Sequence, residues 1–297
     1  MFSSTGKLYL HFSAPCEGGD QLIRTLRAVR HRLEPGKYCI PDPEVYRPAM
    51  TGKALGEMGG VFTPLEQIRL FSEIDESSEI IILSFNRMMG SAIVNFNGNR
   101  IYPHAVERIE FMRNLFPYRE ISLFFSAVNP GTVIADLQYR FPGLPGGRPP
   151  DHRPLWSEMI DRVQEAHIDL PVSIWATEDT PVIWPAILCE VLDASTRTPP
   201  PGSLHLAAKI LSDKLRTKMM MELREMPPLD SLALMEYLEK YLSESVDEGM
   251  LQDDIGLSGW SQDVIQDFEL IYEQDIQSCE DVPGNKSFTI ETVFETA

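Results

Sequence analysis

Between Pro15 and Asp20 the chain places Cys16, Glu17, Gly18, Gly19 and Asp20 in a row, with His11 upstream. A short apolar run (Leu8, Leu10, Phe12) precedes this segment, and Leu22, Leu26, Val29 and Leu33 follow it at helical spacing, so it reads as a turn joining a strand to a helix. Such a junction can hold an anion, because the free N–H groups and the positive dipole end of the helix point into the turn. Here the turn carries two carboxylates and no lysine. Asp20 is suited to cap the helix from within the chain. The alternative is that Glu17 and Asp20 together hold a divalent metal. A thiol at a helix start can be activated, but two flanking acids oppose that for Cys16, which reads better as a small buried residue.

Other candidate chemistry is sparse. His11, His31, His104, His152, His167 and His205 show neither H-x-x-x-H nor H-E-x-x-H spacing, so no zinc site is spelled out, and His11 reads as a strand residue lining a pocket. No G-x-S-x-G turn exists. Glu178 and Asp179 fall at the end of a strand, where ligands bind in α/β sheets, but Asp179-Thr180-Pro181 is also a good helix start and capping explains it better.

The elements that must position these residues alternate. Strands are expected at Leu8 to Phe12, Ile80 to Leu83, Ile121 to Phe125 and Val172 to Trp175. The first helix stops at Pro35-Gly36, and GKYCIPDPEVYRP reads as a short strand or extended segment. From there to Val61 the chain reads as irregular, a surface loop over a pocket. Thr63-Pro64-Leu65-Glu66 is a capping box with proline at the first helical position. Further helices are expected over Tyr102 to Phe116, Trp156 to Ala166 and Thr180 to Asp193, with one more after Asn129-Pro130-Gly131. Ile80 to Leu83 has no polar alternation, as in a strand covered on both faces. This pattern predicts an α/β domain over 1–197 with a central parallel sheet. A helical part over 198–297, broken from it at Thr198 to Gly202, packs on that core. Met219, Met220 and Met221 read as adaptable core filler.

With 26 Lys plus Arg against 44 Asp plus Glu, the net charge is −18. That balance disfavours nucleic acid as a partner and suits a cationic protein. Cys16, Cys39, Cys189 and Cys279 form no C-x-x-C pair, so reduced thiols in a cytoplasm are expected. No apolar run of membrane-spanning length is present, and no membrane partner is expected.

The order of these features resembles the sulfotransferase family, in particular bacterial sulfotransferase-like proteins. In that family a strand ends in histidine, an H-K-T-G-T-T-type turn follows, and a helix begins. The likeness continues through Gly36 to Pro41, the strand ending at Ser84, Leu115-Phe116-Pro117, Asn129-Pro130 and Trp175 to Pro185, then Tyr272 to Pro283-Gly284. It implies a P-loop-NTPase-like three-layer fold and transfer of a sulfuryl group from 3′-phosphoadenosine 5′-phosphosulfate (PAPS) to a hydroxyl or amine. It also implies a pocket formed by His11, Cys16, Glu17, Gly18, Gly19, Asp20, Asn129 and Asp136. Within the resemblance, the lysine expected at the bridging oxygen is Cys16, and Thr-Gly-Thr-Thr is Glu17-Gly18-Gly19-Asp20. The arginine for the 3′-phosphate is Val128, its companion serine is Asp136, and Ser84-Phe85-Asn86 stands where Ser-Ser-Glu is frequent. The expectation is a degenerate donor site and a non-catalytic binding or assembly component. The alternative is a divergent transferase in which Arg24, Arg27 or Lys53 supplies the missing charge.

Overall fold

The computed structural model describes residues 6–14, 19–56, 62–72, 74–91, 100–140, 153–245, 261–281 and 284–295. Its centre is one parallel sheet in the order β2-β3-β1-β4-β5-β6, flanked by helices. The strands are β1 (Lys7–Ser13), β2 (Tyr38–Cys39), β3 (Ile80–Phe85), β4 (Glu120–Ala127), β5 (Val172–Ala176) and β6 (Lys286–Phe288). β1 lies between β3 and β4, with Leu8 opposite both Ile81 and Ile121. Every residue of β3 is buried, as its unbroken apolar run requires.

The chain divides into two compact units, one of residues 1–174 and 257–286, the other of 175–256 and 287–297. In the first, α1 (Gln21–Val29) buries Leu22, Leu26 and Val29 of the expected stripe, and Ile23 with them, while Leu33 lies beyond its end and is half-buried. Next come α2 (Pro43–Ala54) and α3 (Pro64–Ser72), then α4 (Ala105–Leu115), α5 (Pro130–Arg140) and α6 (Trp156–Ala166), and finally α11 (Gln262–Ser278). The capping box forms as read: Glu66 Oε2 accepts from the Thr63 N–H at 2.7 Å, and Thr63 Oγ1 accepts from the Glu66 N–H at 3.3 Å. α2 corrects both the extended reading of Pro43 to Pro48 and the irregular reading of the stretch that follows. Asp42 caps it, its carboxylate accepting from the Glu44 N–H at 3.0 Å, and Pro43 at the first position has no N–H to leave unpaired.

Asp275 of α11 closes the start of α6. Leu155, at the capping position, has no side-chain acceptor, and the Asp275 carboxylate takes the Trp156 N–H at 2.5 Å and the Ser157 N–H at 3.1 Å, with the Ser157 hydroxyl donating as well. Burial pushes the Asp275 carboxyl up, and those donors oppose the rise. α5 approaches α11 closely: a Cβ added at Gly131 would lie 2.9 Å from the Phe268 ring.

The second unit holds α7 (Thr180–Val191), α8 (His205–Ile210), α9 (Asp213–Glu225), α10 (Ser231–Ser245) and α12 (Ile290–Glu295). Within the part expected to be helical, the stretch from Leu204 to Met226 forms two helices, α8 and α9, because Ser212 turns out of helical geometry and caps α9 through the Leu215 N–H at 3.4 Å. Of the three consecutive methionines only Met219 is buried, so the core-filler reading holds for one of them. Among the described residues no helix is long and apolar enough to cross a membrane.

Candidate functional site

The connection leaving β1 runs towards β2 at one edge of the sheet and that leaving β4 towards β5 on the other side, so their carboxyl ends flank a topological switch point. There His11 stands opposite Ser84 of β3, and Ser13 opposite Ser126 of β4. The His11 ring bridges two hydroxyls, with Nδ1 2.9 Å from Ser84 Oγ and Nε2 3.3 Å from Ser126 Oγ. Burial first, and then the Arg47 guanidinium, lower its pKa to about 3. The imidazole is therefore neutral at pH 7, with one nitrogen a donor and the other an acceptor. Two engaged nitrogens and an unfavourable protonated form suit it to holding strands β3, β1 and β4 in register, not to taking up a proton.

The start of α2 delivers Tyr46 and Arg47 to the same edge. The Tyr46 hydroxyl donates to the Ser84 carbonyl at 2.9 Å and accepts from the Ser84 N–H at 2.8 Å, and burial raises its pKa to about 12. Arg47 donates from Nε to the Ser84 carbonyl at 2.6 Å and from Nη2 to Ser84 Oγ at 3.2 Å. Its remaining nitrogen, Nη1, stands 2.8 Å from Asp20 Oδ1. That contact is an ion pair off the hydrogen-bond axis, so Oδ1 keeps its hydrogen-bonding capacity.

Asp20 does hold the capping position of α1, and its backbone carbonyl accepts from the Arg24 N–H at 3.0 Å. Its side chain makes no capping bond, which corrects the expectation of a self-capped helix start. A full positive charge at 2.8 Å attracts the carboxylate more strongly than the partial charge on the orphan N–H groups. Gly19 is required by space: a Cβ there would meet Ser13 Oγ at 2.7 Å and the Ala14 carbonyl at 2.8 Å.

Cys16, Glu17 and Gly18 lie outside the described residues, as does the side chain of Asp136, whose backbone belongs to α5. Asn129 is buried and commits its side-chain oxygen to the Gly131 N–H at 2.9 Å, capping α5. Val128 is buried, and its carbonyl accepts from Trp156 Nε1 at 3.1 Å. Of the three cations named from sequence, Arg24 is exposed and 4.0 Å from Asp20, Arg27 pairs with Asp42 at 2.5 Å, and Lys53 pairs with Glu66 at 3.1 Å. The cation that reaches the turn is Arg47, which the sequence reading missed along with Tyr46 and Ser126; Ser84 is marked there only as a strand end and a motif position, not as a partner of His11. The signal that finds the arginine is Asp42-Pro43, a cap followed by a first-position proline, which opens a helix with Tyr46 and Arg47 in its first turns.

Comparison with family models, curated proteins and solved structures finds no match. Among the described residues no group of three or more His, Cys, Asp and Glu is placed to hold a metal. Asp179 does not cap its own helix as expected; its carboxylate accepts from the Ile290 N–H at 3.0 Å, at the start of α12. Burial holds that carboxyl above the usual range.

Proposed function

We propose that this chain is a sulfotransferase-like, non-catalytic binding or assembly component whose donor position is closed by its own Asp20. The observation that carries the reading is the Asp20–Arg47 ion pair at 2.8 Å, at the mouth of the turn between β1 and α1. A phosphosulfate entering there meets a carboxylate already holding the available cation. Two like charges about 4 Å apart at such a partly solvated place cost on the order of 4 kcal/mol. The pocket histidine, neutral and engaged on both nitrogens, is no ready base for an acceptor hydroxyl.

One observation favours a second reading, a divergent transferase: Arg47 brings a guanidinium to the turn from α2, a position not anticipated for the missing lysine. Calorimetric titration with PAPS and with adenosine 3′,5′-bisphosphate separates the two. The first reading expects no heat at millimolar nucleotide with the native chain, and weak binding that first emerges in Asp20→Asn. Micromolar binding by the native chain, lost in Arg47→Ala, overturns it in favour of the transferase.

A further inference from the structure

Two helices of the first unit, α1 and α11, each carry charge of one sign only. From Gln21 to Leu33, through α1 and the short turn Arg30–Arg32, the chain has four arginines, one histidine and no acid, within a protein of net charge −18. Arg24, Arg27, Ala28 and His31 share the outer face at helical spacing, and all but the half-buried Arg27 are exposed, as are Arg30 and Arg32. The acids nearest this face are already committed. Asp20 lies 2.8 Å from Arg47 against 4.0 Å from Arg24, and Asp42 is held by Arg27 at 2.5 Å, with Arg30 further off. Glu34 closes the run beside Lys37. Neither Arg30 nor Arg32 has an ion-pair partner among the described residues. The negative end of α1 accounts for Arg27 and Arg30, but Arg24 stands mid-helix and Arg32 beyond it.

α11 is the reverse, with five acids and no base between Gln262 and Ser278. Asp263, Asp267, Leu270 and Glu273 follow one another at helical spacing on its outer face and are exposed, Leu270 by 55%. Asp267 is paired with Arg153 at 2.9 Å, whereas Asp263 and Glu269 have no ion-pair partner among the described residues. The connections from β1 to β2 and from β3 to β4 cross the sheet in opposite directions, so right-handed crossovers put α1 on one face and α4 on the other. α6 packs on α4, and α11 on α6. One compact unit thus presents a cationic helix face and an anionic one on opposite sides, each centred on an exposed apolar residue, Ala28 or Leu270.

We propose that these two faces meet between copies of this chain, the outer face of α1 in one copy receiving the outer face of α11 of the next, head to tail. Charge complementarity selects a second copy. Every copy carries the matching acid face, whereas nucleic acid or an anionic bilayer brings a long run of negative charge against the acid surplus of the whole chain. That surplus also opposes the approach of copies, but screening confines it to about 8 Å at about 0.15 M salt, while the faces act in contact. A head-to-tail contact leaves one face open at each end, so growth passes beyond the dimer unless the rotation closes a ring. The inference does not depend on the site at β1.

Sedimentation velocity of the full chain at neutral pH and about 0.15 M salt tests this. The expected result is a sedimentation coefficient that rises with concentration, with species larger than a dimer. Arg24→Glu with Arg32→Glu removes the rise, and so does Glu269→Lys with Glu273→Lys, each with circular dichroism and melting temperature unchanged. An equimolar mixture of the two double variants restores association, because one keeps the native acid face and the other the native arginine face. A native chain that stays monomeric overturns the proposal, as does association indifferent to one of the double variants. A mixture that stays monomeric overturns it too, since the two faces then do not meet. So does a monomer whose α1 face instead takes up polyglutamate or duplex DNA, which assigns that face to a foreign polyanion.

Discussion

At the scale of single residues His11 is the most informative member of the contacts described at the carboxyl edge of the sheet. Its folded pKa of about 3 lies below the ordinary 6.5, so between those values the unfolded chain binds the extra proton and stability rises with pH. The contribution is fully present above about pH 6.5 and is lost as pH falls towards 3, with a limiting slope of about 1.4 kcal/mol per pH unit. Denaturant titrations at pH 7 and pH 5 should show this loss, and His11→Asn should remove most of the difference between them. Gly19→Ala should destabilise by roughly 1–3 kcal/mol, because the added methyl presses on the Ala14 backbone carbonyl, which has little room to yield. A normal urea midpoint for that variant would contradict the tight turn. Much of this edge was legible in the sequence: His11 was placed on the first strand, Gly19 in the turn and Asn129 after the fourth strand. The partner of Asp20 was not, since an ion pair between positions 20 and 47 depends on where a helix lands and leaves no local trace in composition.

Elements show the same division between what local rules reach and what they do not. Thr63-Pro64-Leu65-Glu66 and the unbroken run Ile80 to Leu83 were read correctly because propensity, capping and hydrophobic pattern agree there. α2 reads from sequence as an extended segment running into an irregular one because its own stripe is faint and contains Pro48 and Gly52, so that Asp42-Pro43 is the one strong marker of its start. β6 escaped notice for a different reason: Lys286–Phe288 is three residues long, too short for any period to show. α6 begins at Trp156 as expected, but nothing in its sequence reveals that its cap comes from Asp275. Replacing Asp275 by Ala should cost about 2–4 kcal/mol, since it takes the acceptor from the buried N–H of Trp156 and the half-buried N–H of Ser157. Chemical denaturation measures it, and Asp275→Asn, which keeps an acceptor, should recover part of the loss. Gly131→Ala should weaken the same unit by roughly 1–3 kcal/mol through its clash with Phe268.

For the whole molecule, charge governs behaviour in solution. With 44 acids against 26 bases and an isoelectric point near 4.7, copies repel one another at neutral pH and lose that repulsion as the carboxylates take up protons. Turbidity should therefore rise sharply as pH approaches 4.7, in the same range in which His11 withdraws its support. The parallel sheet was legible at this scale because strands and helices alternate, and covered strands are apolar throughout.

The Trp156–Asp275 bond joins positions 119 apart in the chain, and its two ends belong to a unit whose sequence is interrupted by residues 175–256. On a ribosome synthesising from the amino terminus, everything up to Ile174 emerges long before Asp275 does. The first unit must wait with one helix start open until the other has been made. Nascent chains stalled before Asp275 should be digested by protease near Trp156, and chains stalled beyond it, once clear of the exit tunnel, should resist.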